Sequence, residues 1–129
     1  MSVKIEDAKA RAKIGDGPMG DMRMKKALWV CIENVKSDTE KYVPMSKGDN
    51  SAHKAGNLRR SVDTSRGEEG LISWNAVDAK GRGYAAYVYH MPKSANWTTP
   101  GTGPQWVERA ATAGGKERWS KMIQAVLNG

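Results

Sequence analysis

Between residues 21 and 42, in DMRMKKALWVCIENVKSDTEKY, apolar side chains recur at Met24, Leu28, Cys31, Val35 and Tyr42, in steps of three, four and seven. That is the period of a helix with one buried stripe, and Lys25, Lys26, Glu33, Lys36 and Glu40 lie largely off it. The spacing predicts a long amphipathic helix over 21–42, with Asp21 as its N-cap. It should end at Tyr42-Val43-Pro44, because the residue before a proline is pushed out of the α region.

The rest of the chain arranges itself around that helix. Residues 3–14 fit a short helix with Ile5, Ala8 and Ala12 on one side, and GDGPMGD at 15–21 is a break punctuated by glycines and Pro18. After a polar loop at 44–57, residues 58–65 fit a strand with Val62 as its apolar member. Arg66-Gly67-Glu68-Glu69-Gly70 reads as a hairpin turn, 71–77 as a second strand and 78–83 as a second turn. In YAAYVYH, residues 84–90, Tyr84, Ala86 and Val88 alternate with Ala85, Tyr87 and Tyr89, the pattern of a third strand. Pro104 suits the first position of a helix over 105–113, with Trp106, Val107 and Ala110 inward and Gly114-Gly115 as its break. Residues 116–127 form a second amphipathic helix whose stripe is Trp119, Met122, Ile123, Val126 and Leu127.

The expected fold is therefore α+β, with a long N-terminal helix and a C-terminal helix packed on a small antiparallel sheet of three or four strands. A length of 129 residues matches one domain, 1–129, in which 1–20 is a candidate flexible arm. The N-terminal MSVKIEDAKARAK has no apolar run, so neither a signal peptide nor a membrane anchor is expected, and the protein is expected in the cytosol where it is made.

The single cysteine, Cys31, excludes an internal disulfide and a thiolate zinc site, and its place on the helix stripe predicts a buried, inert thiol. The two histidines, His53 in a polar loop and His90 at the end of a predicted strand, sit in no catalytic pattern. Glu68-Glu69 are adjacent at a turn tip, and there is no phosphate loop or nucleophile elbow. Neither an enzyme, nor a metal site, nor a cofactor is expected. A net charge of +7 permits contact with nucleic acid or an acidic protein. The basic pairs Lys25-Lys26, Arg59-Arg60, Lys80 with Arg82, and Lys116 with Arg118 are dispersed, so solvated faces are their ordinary use. Five tryptophans, four tyrosines and no phenylalanine favour half-wet surfaces, since each ring carries a polar atom. With a predicted sheet, they also leave open a small basic nucleic-acid-binding module that stacks bases.

Three stretches in order carry a resemblance. KYVPM at 41–45 is followed by GNLRRSV at 56–62; YAAYVYHMP stands at 84–92; TPGTGPQWVERA stands at 99–110. Together they resemble the minor capsid and tail-completion, or head–tail joining, proteins of long-tailed bacteriophages. The segment SKGDNSAHKA ahead of Gly56 is longer than that resemblance leads one to expect. What the resemblance implies is an α+β structural protein of the virion neck. It would complete or join the tail to the DNA-filled head as a homo-oligomeric ring, beside other neck and tail proteins and around double-stranded DNA, with no membrane. The protein-interface candidates are then Trp97, Thr99, Thr102, Tyr87 and Tyr89. Arg59, Arg60, Lys80 and Arg82 are candidates for the DNA lumen or a subunit interface. Within WTTPGTGPQW, Trp97 is the candidate exposed anchor, whereas Trp106 points into the core.

Overall fold

Pro18 opens the longest element of the computed structural model, which describes residues 1–5, 17–44, 57–77, 80–91 and 102–128. Helix α1, Pro18–Glu40, starts three residues before the expected N-cap. Gly17 caps it, and proline is well suited to the first helical position because that position needs no N–H donor. Asp21 lies inside the first turn, where a carboxylate meets the positive end of the helix dipole. Met24, Ala27, Cys31, Ile32, Val35 and Thr39 form the buried stripe. Thr39 is the polar member, and its hydroxyl donates to the Lys36 carbonyl at 3.1 Å. As expected, the helix ends at Tyr-Val-Pro: Tyr42 and Val43 still donate backward to Thr39 and Glu40, and Pro44 follows.

The sheet has three antiparallel strands, in the order β1 (Ser2–Lys4), β3 (Leu71–Trp74), β2 (Val62–Asp63). Two expectations are corrected here. Residues 2–4 are an edge strand, whereas residues 3–14 were expected to begin a helix; residues 6–16 lie outside the described ones. Ser2-Val3-Lys4 alternates exposed, half-buried, exposed, and pairs Val3 with Ile72. The chain end is tied down as well, since the Met1 ammonium donates to the Trp74 carbonyl at 3.1 Å and Trp74 donates to that of Met1. Residues 58–65 are also only partly a strand: helix α2, Asn57–Arg60, precedes the two-residue β2.

The β2–β3 connection is the expected hairpin, closed by a 3₁₀ turn at Gly67–Glu69. Arg66 grips Glu69 through two hydrogen bonds of 2.6 and 3.0 Å. Gly70 leaves the turn at φ +76°, and a Cβ there would stand 2.4 Å from the Ile5 carbonyl oxygen. That oxygen belongs to the residue whose N–H donates to Gly70, so the turn can seat β1 only with no side chain at 70.

The largest correction concerns residues 84–90. Ala85–Tyr89 are a helix, α3, not a third strand. Ala85 and Tyr89, four apart, are buried, while Tyr84 and Val88, also four apart, are half-buried. A short apolar segment satisfies period two and period 3.6 together, and packing decides between them. Here Tyr84 still bonds the Ala76 carbonyl at 3.2 Å, and the chain then turns inward to bury Tyr89.

Helix α4 is Trp106–Ala110. Its N-cap is Gln105 in a left-handed conformation, φ 52°, so Pro104 stands before the helix and not at its first position. The expected break at Gly114 is present: Gly114, at φ 102°, kinks the wide turn 111–115, after which helix α5 (Lys116–Asn128) runs on. Helix α5 packs along α1, and α1 also covers the 3₁₀ turn. Trp119, Ile123 and Leu127 are buried and Met122 and Val126 half-buried, so the expected stripe is the packed one. The result is α+β, with both long helices laid against the core beside a small sheet.

Candidate assembly surfaces

The three sequence motifs meet in one joint. Gly103 donates to the Tyr42 carbonyl at 3.2 Å, and Gln105 donates to the Tyr89 carbonyl at 3.1 Å. Arg59 Nη2 donates to the Val43 carbonyl at 2.9 Å. The segments around 42–43, 59, 89 and 103–106 thus hold one another through backbone carbonyls. Trp106, fully buried, fills the middle, edge-on to Tyr89 (centroids 4.6 Å apart) and to Trp74 (5.6 Å). Such T-shaped contacts place a positive ring edge on a negative ring face and add about 0.5–1.5 kcal/mol each beyond area burial.

The placement of the candidate interface residues follows from this joint. Thr102 is buried, and so is Tyr89 at 6% exposure, which leaves neither at the surface of the single chain. Burial, with the Glu108 charge adding to it, pushes the Tyr89 hydroxyl up to about 12. Tyr87, two residues earlier on the other side of α3, is largely exposed. Trp97 and Thr99 lie outside the described residues. Trp106 is a core residue, as read from the sequence.

The basic candidates stand on separate elements. Arg60 ends α2 exposed, whereas Arg59 beside it is half-buried. Arg59 faces a cleft of about 40 Å³, large enough for one or two waters, lined with Lys36, Thr39, Glu40, Val43, Val62 and Trp74. Lys80 and Arg82 are exposed in the turn before α3. Lys41 and Arg109 both approach the Tyr42 ring, at 5.2 and 5.0 Å from its centroid. A base-stacking platform needs aromatic rings in rows on a sheet face; with 84–89 outside the sheet, Tyr84, Tyr87 and Tyr89 form no such row.

Two features were not singled out in the sequence. Asp38 accepts from Trp119 Nε1 at 2.7 Å and pairs with Arg118 at 3.2 Å, clamping α1 to α5 across 81 positions. No local signal marks such a pair. Met19, Met22 and Trp29 are exposed on α1, on the side opposite its buried stripe. Their spacing of three and seven is a readable helical signal in the sequence.

Fold and surface define a small, basic α+β domain whose three quoted sequence stretches meet at its core. Among the described residues no group of His, Cys, Asp or Glu could hold a metal ion, and no helix is long and apolar enough to cross a membrane. The chain belongs to the minor capsid protein family, whose model matches residues 1–126. Its role is that of a structural protein of the bacteriophage virion. No curated protein and no solved structure matches the chain.

Proposed function

We propose that this minor capsid protein acts in the neck of the particle, completing or joining the tail to the DNA-filled head as a ring-like homo-oligomer. It works by assembly and not by catalysis, next to other neck and tail proteins. The observation that supports this reading most directly is the joint described above. Four distant segments are locked together through Tyr42, Val43, Tyr89, Gly103 and Gln105, which gives a rigid unit with little to rearrange on assembly. Rigid aromatic side chains left outside it, such as Tyr87, are suited to anchor subunit contacts. Dispersed exposed cations, among them Arg60, Lys80 and Arg82, suit a channel through which double-stranded DNA slides, because phosphate attraction there is independent of sequence.

Deleting the gene from its phage genome tests the reading. The expected product is DNA-filled heads and free tails, unjoined or poorly joined, seen by electron microscopy. Normal infectious particles would overturn it.

A further inference from the structure

Basic residues that stand far apart in the sequence converge in the fold on one short segment, the end of α1. Lys41 is the C-cap of that helix, and its Nζ lies 5.2 Å from the centroid of the Tyr42 ring. Arg109, from α4, brings its guanidinium to 5.0 Å from the same centroid. Arg59, from α2, donates from Nη2 to the Val43 carbonyl at 2.9 Å. Its Nε is buried with no hydrogen-bond partner among the described residues. The negative end of the helix dipole accounts for one cation here, such as Lys41, and not for three.

Neither Lys41 nor Arg109 is in an ion pair with a described carboxylate. Glu40, next to Lys41 in the chain, lines the Arg59 cleft, and the charge of Glu108, next to Arg109, bears on the Tyr89 hydroxyl. The Tyr42 ring attracts both cations through its quadrupole but carries no net charge, so their positive charge stays available. Its backbone is held from two sides, by the bond from its own N–H to Thr39 at 2.9 Å and by that from Gly103 to its carbonyl at 3.2 Å. What fits two fixed, uncompensated cations is an anion. Protein interfaces centre on apolar and aromatic side chains and are poor in charge at the middle. The exposed large apolar residues, Met19, Met22, Trp29, Val77 and Tyr87, all belong to other segments. A polyanion of phosphates suits the site better, since arginine offers it a planar donor fork and lysine a point charge. We infer that Lys41 and Arg109, held over Tyr42, bind the phosphate backbone of double-stranded DNA, with Arg59 adding to the positive field.

This deepens the neck reading and rests on it for the DNA, naming the face of the subunit that the duplex meets. The contact reaches phosphates and no base edge, so it is blind to sequence and sensitive to salt.

Fluorescence anisotropy of the full chain with a labelled DNA duplex of random sequence, titrated at several salt concentrations, tests this. The wild type is expected to bind at low salt with a Kd of about 10⁻⁴ M or tighter, the range of sequence-independent contacts. Lys41→Gln with Arg109→Gln should weaken binding at least about tenfold and make the plot of log K against log salt shallower by about two, one unit per lost phosphate contact. Lys41→Gln alone changes a single exposed side chain and should take about half of that slope. Lys25→Gln with Lys26→Gln removes the same charge from an exposed part of α1. It should change affinity by less than about threefold, because charges off the contact act only through a screened field. Lys41→Arg with Arg109→Lys keeps both charges and should bind like the wild type, and matching circular dichroism of all variants excludes misfolding. A wild type that does not bind at low salt overturns the inference. So does a loss that is equal for the 41/109 and 25/26 pairs, as net charge alone would give, or absent from the 41/109 pair. Tighter binding of the wild type to poly-glutamate than to the duplex at the same salt also overturns it, and would assign the site to an acidic protein. None of these results bears on the gene deletion, and normal particles after deletion would leave the measured binding in place, so the two readings fail separately.

Discussion

Tyr89 meets Trp106 edge-on, with the ring centroids 4.6 Å apart, and the Tyr89 carbonyl accepts the N–H of Gln105. The tyrosine-rich segment and the Gly-Pro-Gln-Trp segment are therefore one packing unit. Trp106→Ala empties the centre of this unit and should destabilise the protein by about 3–5 kcal/mol. Trp106 Nε1 is buried with no hydrogen-bond acceptor among the described residues, so Trp106→Phe gives up volume but no bond. It should cost less than half as much. Urea denaturation of the two variants compares them directly.

The Tyr89 hydroxyl sets a pH dependence with a definite sign. Its folded-state value is about 12, against 10.0 for the free group. A group held protonated in the fold stabilises it fully below the unfolded value, and that contribution is lost as pH rises through the folded one. Thermal stability should fall steeply between about pH 10 and 12. Tyr89→Phe has no hydroxyl to ionise, so its melting temperature should fall less over that window. Equal slopes for the two proteins would show that the Tyr89 hydroxyl is not responsible.

The two long helices were legible in the sequence because each repeats its apolar period over several turns, and repetition leaves one reading. Residues 85–89 were not. Ala85, Tyr87 and Tyr89 satisfy alternation, while Ala85 with Tyr89 satisfies a helical step, and only the contact with Trp106 decides. Strand β1 was hidden for a different reason: its three residues become a strand by pairing with Leu71–Trp74, far along the chain. Among the candidate surfaces, Trp106 was placed correctly in the core because a helical neighbour pattern surrounds it. Tyr89, an interface candidate on the sequence, is buried in the single chain, because the helix at 85–89 turns inward a ring that a strand would place on the opposite face from Tyr84.

Gly70 and Gly81 separate two costs of replacing a glycine. Both have positive φ, +76° and +79°. A Cβ at Gly81 meets nothing within 4 Å, whereas one at Gly70 would lie 2.4 Å from the Ile5 oxygen. Gly81→Ala should cost only the left-handed conformation, about 1–2 kcal/mol. Gly70→Ala must also push β1 off the turn, so it should cost more and specifically deprotect the Val3 and Ile5 amides in hydrogen exchange. Similar losses in the two variants, with β1 still protected, would contradict the close approach.

Asp38 joins α1 to α5 through two unlike partners. Its bond to Trp119 Nε1 is 2.7 Å long and partly buried, while Arg118 is 55% exposed. A bond from a neutral donor to a charged acceptor contributes about 1.5–3 kcal/mol when shielded, but an exposed ion pair contributes about 0–1 kcal/mol. Asp38→Ala should therefore destabilise by at least about 1.5 kcal/mol, because it leaves the Trp119 N–H without its acceptor. Arg118→Ala should change stability by less than about 1 kcal/mol. Added salt should narrow the difference between wild type and Arg118→Ala and leave the Asp38→Ala loss nearly unchanged, since screening acts on exposed charges. A double-mutant cycle in denaturant at low and high salt measures both effects. A large, salt-sensitive Arg118 contribution would mean that the clamp is held by the ion pair and not by the indole.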